Sequence, residues 1–176
     1  MVKQILAMGA SSSRKSINKR FAQYAANLVR NAKVDLVDLN DYEMPIYSID
    51  KENEGGIPQL AHDFKAKVLA ADGIIISFAE HNGAYSTAFK NIFDWISRID
   101  KDVWGQKTML LLATSPGARG GRTVLDIAVN KFSFMNKNTI ASFSLPSFTQ
   151  NFSEGIVDEA LKMSFEEQLR IFEEAL

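Results

Sequence analysis

Gly73-Ile74-Ile75-Ile76-Ser77-Phe78 and Thr108-Met109-Leu110-Leu111-Leu112-Ala113-Thr114 decide the fold. Successive side chains of a strand point to opposite faces, so a strand with one wet face alternates apolar and polar residues. These two runs are close to continuously apolar, which is what strands covered by helices on both faces require. Outward from them, Lys3–Met8, Val34–Leu39 and Thr139–Phe143 read as further strands. Amphipathic stretches separate them. Ile17, Phe21, Tyr24, Ala25 and Leu28 form one apolar helical face, and Gln59–Ala71 follows Pro58, a common helix opener. Helices are also predicted from Ser86 through Trp95 to Ile99, and from Thr123 to about Phe134. In the last helix Val157, Leu161, Phe165, Leu169, Phe172 and Leu176 step by three or four. The string is βαβαβαβαβα, which predicts an α/β three-layer sandwich on a five-stranded parallel sheet. The 176 residues suit a single domain, 1–176. Asp41–Pro58 is the one long stretch without periodicity, and such loops tend to be functional or mobile.

Composition narrows the chemistry. Twenty Lys and Arg face 21 Asp and Glu, so no global field recruits nucleic acid or an anionic membrane. No cysteine occurs, which removes disulfides, thiolate nucleophiles, iron–sulfur clusters and Cys-based zinc sites. His62 and His81 are the only histidines, too few for a His-rich metal site, and no metal is expected. The apolar run Ile5–Ala10 breaks at Ser11-Ser12-Ser13-Arg14, too soon for a secretory signal. No run approaches the roughly 20 apolar residues of a membrane span. A soluble, cytoplasmic protein is expected.

In open parallel sheets ligands bind beyond the carboxyl ends of the strands. After the first strand the chain reads Gly9-Ala10-Ser11-Ser12-Ser13-Arg14-Lys15-Ser16-Ile17-Asn18 and enters a helix. Hydroxyls, a guanidinium and the free N–H groups of a helix start converge there, a seat for an anion and above all for phosphate. The plainer alternative is a Ser-rich helix cap. After the third strand come Ala79-Glu80-His81-Asn82, and after the fourth Ser115-Pro116-Gly117-Ala118-Arg119-Gly120-Gly121. The glycines of that last loop would let the backbone approach a flat ligand, or simply form a turn. Neither G-x-G-x-x-G nor G-x-x-x-x-G-K-[ST] is present, and no G-x-S-x-G elbow occurs.

Three motifs in order resemble the NADPH-dependent FMN reductase family. Ser12-x-Arg14 with Ser16-x-Asn18 is similar to its G-S-x-R-x-x-S-x-N loop, here one residue shorter between arginine and serine. Glu80-x-Asn82 with Lys90-Asn91-x-x-Asp94-Trp95 is similar to P-E-Y-N-x-S-x-P-x-x-L-K-N-x-x-D-W, with Ala79 for the proline and His81 for the tyrosine. Ser115-Pro116-Gly117-x-Arg119-Gly120-Gly121 is similar to S-x-G-x-x-G-G.

The resemblance implies a flavodoxin-like sheet of order 2-1-3-4-5, bound FMN, and NADPH or NADH as hydride donor. It also implies a small electron-poor acceptor (a quinone, an azo compound, chromate or free flavin) and a homodimer or homotetramer with the flavin near a subunit interface. Ser11, Ser12, Ser13, Arg14, Ser16, Ile17 and Asn18 would hold the phosphate. Ala79, Glu80, His81 and Asn82 would border the ring, mostly through backbone groups. Ser115, Gly117, Arg119, Gly120 and Gly121 would supply N–H donors and positive charge where the reduced ring becomes anionic. No side chain is expected to be catalytic, since the redox chemistry belongs to the cofactor. The alternatives are a flavodoxin-type electron carrier and a non-catalytic FMN-binding protein. Phe93 and Trp95 are expected in the core or an interface, Lys90 and Asp94 as a surface pair, and His62 on a helix exterior. Tyr47 would either cover the site or face solvent. His81 is expected to be functional.

Overall fold

A computed structural model describes residues 1–176. Five strands form one parallel sheet: β1 (Lys3–Ala10), β2 (Ala32–Val37), β3 (Gly73–Phe78), β6 (Thr108–Thr114) and β7 (Ile140–Leu145). The order is β2-β1-β3-β6-β7, the expected 2-1-3-4-5 once the short hairpin strands β4 (Glu80–His81) and β5 (Ala84–Tyr85) are set aside. Around the sheet run α1 (Ile17–Leu28), α2 (Ile49–Gly55), α3 (Gln59–Ala70), α4 (Thr87–Ile99), α5 (Arg122–Met135), α6 (Phe148–Asn151) and α7 (Glu159–Glu174).

The continuous apolar runs follow from two separate cores. Leu6, Met8, Ile74, Ile76, Phe78, Met109 and Leu111 face α3, α4 and α5. Ile5, Ala7, Ile75, Leu110 and Leu112 face α1 and α7. Every residue of β3 and β6 is buried, while edge strand β7 alternates, with Ala141, Phe143 and Leu145 turned to α7. Full burial of a Leu or Ile side chain contributes about 1.5–3 kcal/mol, so the central strands hold both layers to the sheet.

Several boundaries differ from expectation. β2 ends at Val37 rather than Leu39, because Asp38 accepts hydrogen bonds from the Asn40 backbone and amide and starts a 3-10 turn, Leu39–Tyr42. Leu28 is 42% exposed, whereas Asn18 on the same helix is buried. Val157 lies outside α7 and is 54% exposed; that helix starts after Asp158, whose carboxylate accepts from the Leu161 N–H at 2.9 Å. Helix α2, capped by Ser48, occupies much of Asp41–Pro58. Tyr47 is half-buried against α2 and α4. Its N–H donates to Asn91, its hydroxyl to Glu52 at 3.0 Å, and its ring stands edge-on to Trp95. Trp95 and Phe93 are buried, Lys90 and Asp94 pair at 2.6 Å, and His62 is exposed. No helix is long and apolar enough to cross a membrane.

Candidate functional site

The carboxyl ends of β1, β3 and β6 meet at one edge of the sheet, and the three loops read from the sequence leave from there. The first closes on itself. The Ser11 N–H donates to the Gly9 carbonyl, Ser13 N–H to Ser11 Oγ at 3.1 Å, and Ser16 N–H to the Ser13 carbonyl. Ser16 caps α1 by accepting from the Lys19 N–H at 3.1 Å. The N–H groups of Ser12, Arg14, Lys15, Ile17 and Asn18 have no acceptor in the protein. A short turn leading into a helix start with its first donors free is an anion seat built from backbone. Gly9 makes it possible by letting α1 lie against β1: a Cβ there would sit 2.3 Å from the Lys19 nitrogen.

The second loop is a hairpin. Asn82 and Gly83 both have positive φ, 51° and 76°, and join β4 to β5. An Asn-Gly pair with two positive φ angles is the turn that matches strand twist. The Glu80 carboxylate crosses to the third loop and accepts from the Val124 N–H at 3.1 Å, so it caps α5, whose N-cap residue Gly121 has no side chain to do so. Behind the hairpin, Tyr85 packs on Phe78, Phe89 and Phe93, with its hydroxyl buried and unpaired. Burial pushes that phenol up to about 12, so it stays protonated.

A recess of about 230 Å³ lies among the three loops. Ser11, Ser13, Lys15, Ser16, Ile17 and Asn18 line it from the first, Ala79, Glu80 and His81 from the second, Thr114, Ser115 and Pro116 from the third. Lys15, Thr114 and Pro116 were not among the expected residues. Lys15 could have been found from the short arginine-to-serine spacing, which changes the side chain that precedes the helix cap.

Other expected residues lie elsewhere, for identifiable reasons. Ser12 lines a separate cavity of about 420 Å³ with Leu39, Tyr42, Met44 and Asn91. Arg14 is exposed and makes no hydrogen bond or ion pair, and Asn82, at the hairpin tip, is exposed too. Arg119, in the turn before α5, donates to Thr123 on that helix at 3.0 Å. Gly120 and Gly121 are required as glycines by the packing beneath the loop. A Cβ on Gly120 would lie 2.6 Å from Ser144 Oγ and one on Gly121 3.1 Å from Ala113 Cβ, and both have positive φ. Gly117 alone of the three has open space around it, its nearest neighbour being Ser115 Oγ at 3.8 Å.

Asn18 also has a task other than the expected one. It is 3% exposed, and its Oδ1 accepts from Ser77 Oγ at 2.7 Å and from the Thr114 N–H at 3.1 Å. Its Nδ2 donates to the Thr114 carbonyl at 3.1 Å. The amide therefore ties α1 to the ends of β3 and β6 and fixes the three loops relative to one another.

Residues 4–150 match the NADPH-dependent FMN reductase family. The chain belongs to that family. A 2-hydroxy-1,4-benzoquinone reductase of a Burkholderia species is 34% identical to this FMN reductase family member over 122 residues, 68% of the chain and 64% of the relative. An NADPH:quinone oxidoreductase of Arabidopsis thaliana is 28% identical over 124 residues, 68% of the chain and 62% of the relative. The matches thus span less than two thirds of those relatives' length. Among solved structures, a flavoenzyme NAD(P)H:(acceptor) oxidoreductase of Paracoccus denitrificans has a TM-score of 0.75 at 20% identity, covering 99% of both chains. That likeness carries the flavodoxin-like fold.

Proposed function

We propose that the chain, acting as one domain over residues 1–176, binds FMN and transfers hydride from NADPH or NADH to an electron-poor acceptor of the quinone, azo, chromate or free-flavin class. The observation that carries this is the anion seat at the end of β1, opening into the loops after β3 and β6. The residues present fit a phosphorylated flavin. Unpaired N–H groups, the Ser11, Ser13 and Ser16 hydroxyls and one cation suit a phosphate. Ala79, Glu80, His81 and Ser115 suit the border of a ring with mixed donors and acceptors.

Bound FMN would supply the redox chemistry, taking hydride from the nicotinamide and passing it to the acceptor. The chain's own part is to hold and orient. The backbone of the first loop grips the phosphate, the hairpin and the Glu80 cap fix the ring's border, and the N-terminus of α5 contributes positive potential beside it. The N–H groups of Gly117, Ala118 and Arg119, which have no acceptor in the protein, are donors for an anionic ring edge. Relatives named as quinone reductases support the acceptor class. A cytoplasmic homodimer or homotetramer completes the reading. The near-neutral chain and its serine-rich, cationic first loop do not favour a flavodoxin-type carrier, the acidic alternative.

The test is the visible spectrum of the purified protein with added FMN and then NADPH under nitrogen. A bound-flavin spectrum that bleaches on NADPH addition and returns with a quinone is expected. A protein that leaves the spectrum of added FMN unperturbed would sink the proposal.

A further inference from the structure

We propose that Lys15, not Arg14, is the side-chain cation that neutralises the phosphate in this chain. The assignment rests on the FMN reading above and deepens it. The first loop is one residue shorter between arginine and capping serine than the pattern it resembles. Both ends of the loop are anchored. Ser86 Oγ donates to the Ala10 carbonyl at 2.8 Å, and Ser16 is fixed by its cap bond to Lys19. With fixed ends, a shorter loop alters which position stands directly before the helix cap, and here that position is Lys15. Both side chains are exposed, but Lys15 lines the recess with Ser11, Ser13 and Ser16 and Arg14 does not.

Apart from Arg14, three other cations of these loops and of α1 are committed elsewhere. Lys19 pairs with Asp38 at 2.5 Å. Arg20 donates to the Ser153 carbonyl and sits over the rings of Phe148 and Phe152. Arg119 is bonded to Thr123. Lys15 forms no ion pair and is the one Lys or Arg on the recess wall. An ammonium on a flexible stem meets a phosphate as a point charge and needs no bidentate geometry, so it can serve from the position just before the helix cap.

The experiment measures FMN and riboflavin affinity, by quenching of flavin fluorescence, for the unaltered protein, Lys15→Met and Arg14→Met. Both positions are exposed, so folding is not at stake. Losing a charge-assisted hydrogen bond to the phosphate should weaken FMN binding roughly ten- to hundredfold in Lys15→Met. Riboflavin, which has no phosphate, should bind Lys15→Met as it binds the unaltered protein. Arg14→Met should keep FMN affinity within about threefold, the range of a screened surface charge. An equal or larger loss in Arg14→Met, or a Lys15→Met loss shared by riboflavin, would overturn the assignment. Failure of the unaltered protein to bind FMN overturns the cofactor reading and this assignment with it.

Discussion

Replacing Asn18 with leucine removes three hydrogen bonds at the point where the three site loops are joined. Ser77 Oγ, the Thr114 N–H and the Thr114 carbonyl lose their Asn18 partner together, and both residues are at most 1% exposed. Leucine branches at Cγ as asparagine does and is somewhat larger, so no space opens for water to replace the amide. A buried polar group left without a partner costs about 1–3 kcal/mol. Three such groups, with some relaxation, give a destabilisation of about 3–5 kcal/mol. In urea, with a slope of about 2 kcal/mol per molar for a chain of this size, the midpoint should fall by roughly 1.5–2.5 M with the slope unchanged. Ser77→Ala is the control. It removes one donor but leaves Asn18 paired to Thr114, so it should cost about 1 kcal/mol. In the Asn18→Leu, Ser77→Ala double variant the two costs should fall short of additivity, since one bond is common to both. A midpoint within about 0.3 M of the unaltered protein for Asn18→Leu would show that the amide does not join the loops as argued.

Gly120→Ala places a Cβ against Ser144 Oγ and the Leu145 backbone, under 3 Å away, at a residue with φ of 60°. A loss of at least about 2 kcal/mol in thermal or urea unfolding is expected, with weaker FMN retention because the third loop must shift. Lys65 is buried, donates to the Asp102 and Val103 carbonyls and lies 3.9 Å from Asp100, while burial lowers its pKa. Lys65→Met should cost roughly 2 kcal/mol in the same assay by leaving those carbonyls unpaired, and an unchanged midpoint would count against the contact. The Lys19 ammonium and the Asn40 N–H hold the Asp38 carboxyl at about 2, below its ordinary value. A depressed carboxylate adds stability that is present above the unfolded pKa and is lost as pH falls from about 4 towards 2. Discounted for its partial exposure, this is about 1 kcal/mol, measured as the difference between Asp38→Asn and the unaltered protein at pH 6 and its disappearance near pH 2.

The fold was legible because its decisive signal is local and strong. Two apolar runs with no alternation admit few environments, and the central strands β3 and β6 have the expected residue ranges. Edges were harder. β2 and β7 carry polar residues on one face, so their ends are set by neighbouring turns, at Asp38 for β2, rather than by their own pattern. The β4–β5 hairpin had a readable signal in Asn82-Gly83, but strands of two residues give periodicity nothing to act on. For the site, the loop order along the sequence points to the sheet edge where the three loops meet, while the position of each side chain within a loop depends on contacts from elsewhere in the chain. Lys15 lines the recess and Arg14 does not, in a loop whose two ends are held by Ser86 and Lys19 from other parts of the chain. Glycines in that loop fit either ligand approach or a turn, and the packing demand on Gly120 comes from β7, which adjoins the loop only in the folded chain.

A common logic links Ser16, Asn18, Glu80 and Thr114. Each is polar, each stands at the recess, and each has its side chain bonded to another part of the scaffold: a helix start, two strand ends, a second helix, the Leu145 carbonyl. What the recess offers a ligand is largely backbone, in the form of N–H groups with no other acceptor. A backbone surface depends on shape, and shape is held by those four side chains and by the Asn82-Gly83 turn. The residues between the anchors are then free to change. Ala79 in place of proline and His81 in place of tyrosine leave the hairpin intact, because the turn and the Glu80 cap define it without them. His81 is exposed on the recess wall, where it alters what a bound molecule touches rather than how the loop is built. On the proposed reading, a substitution at position 81 changes acceptor choice while the scaffold keeps the cofactor seat in shape. His81→Tyr should shift the ratio of kcat/KM between quinone and azo acceptors and leave FMN affinity within about twofold, and a parallel loss of both would place His81 among the anchors instead.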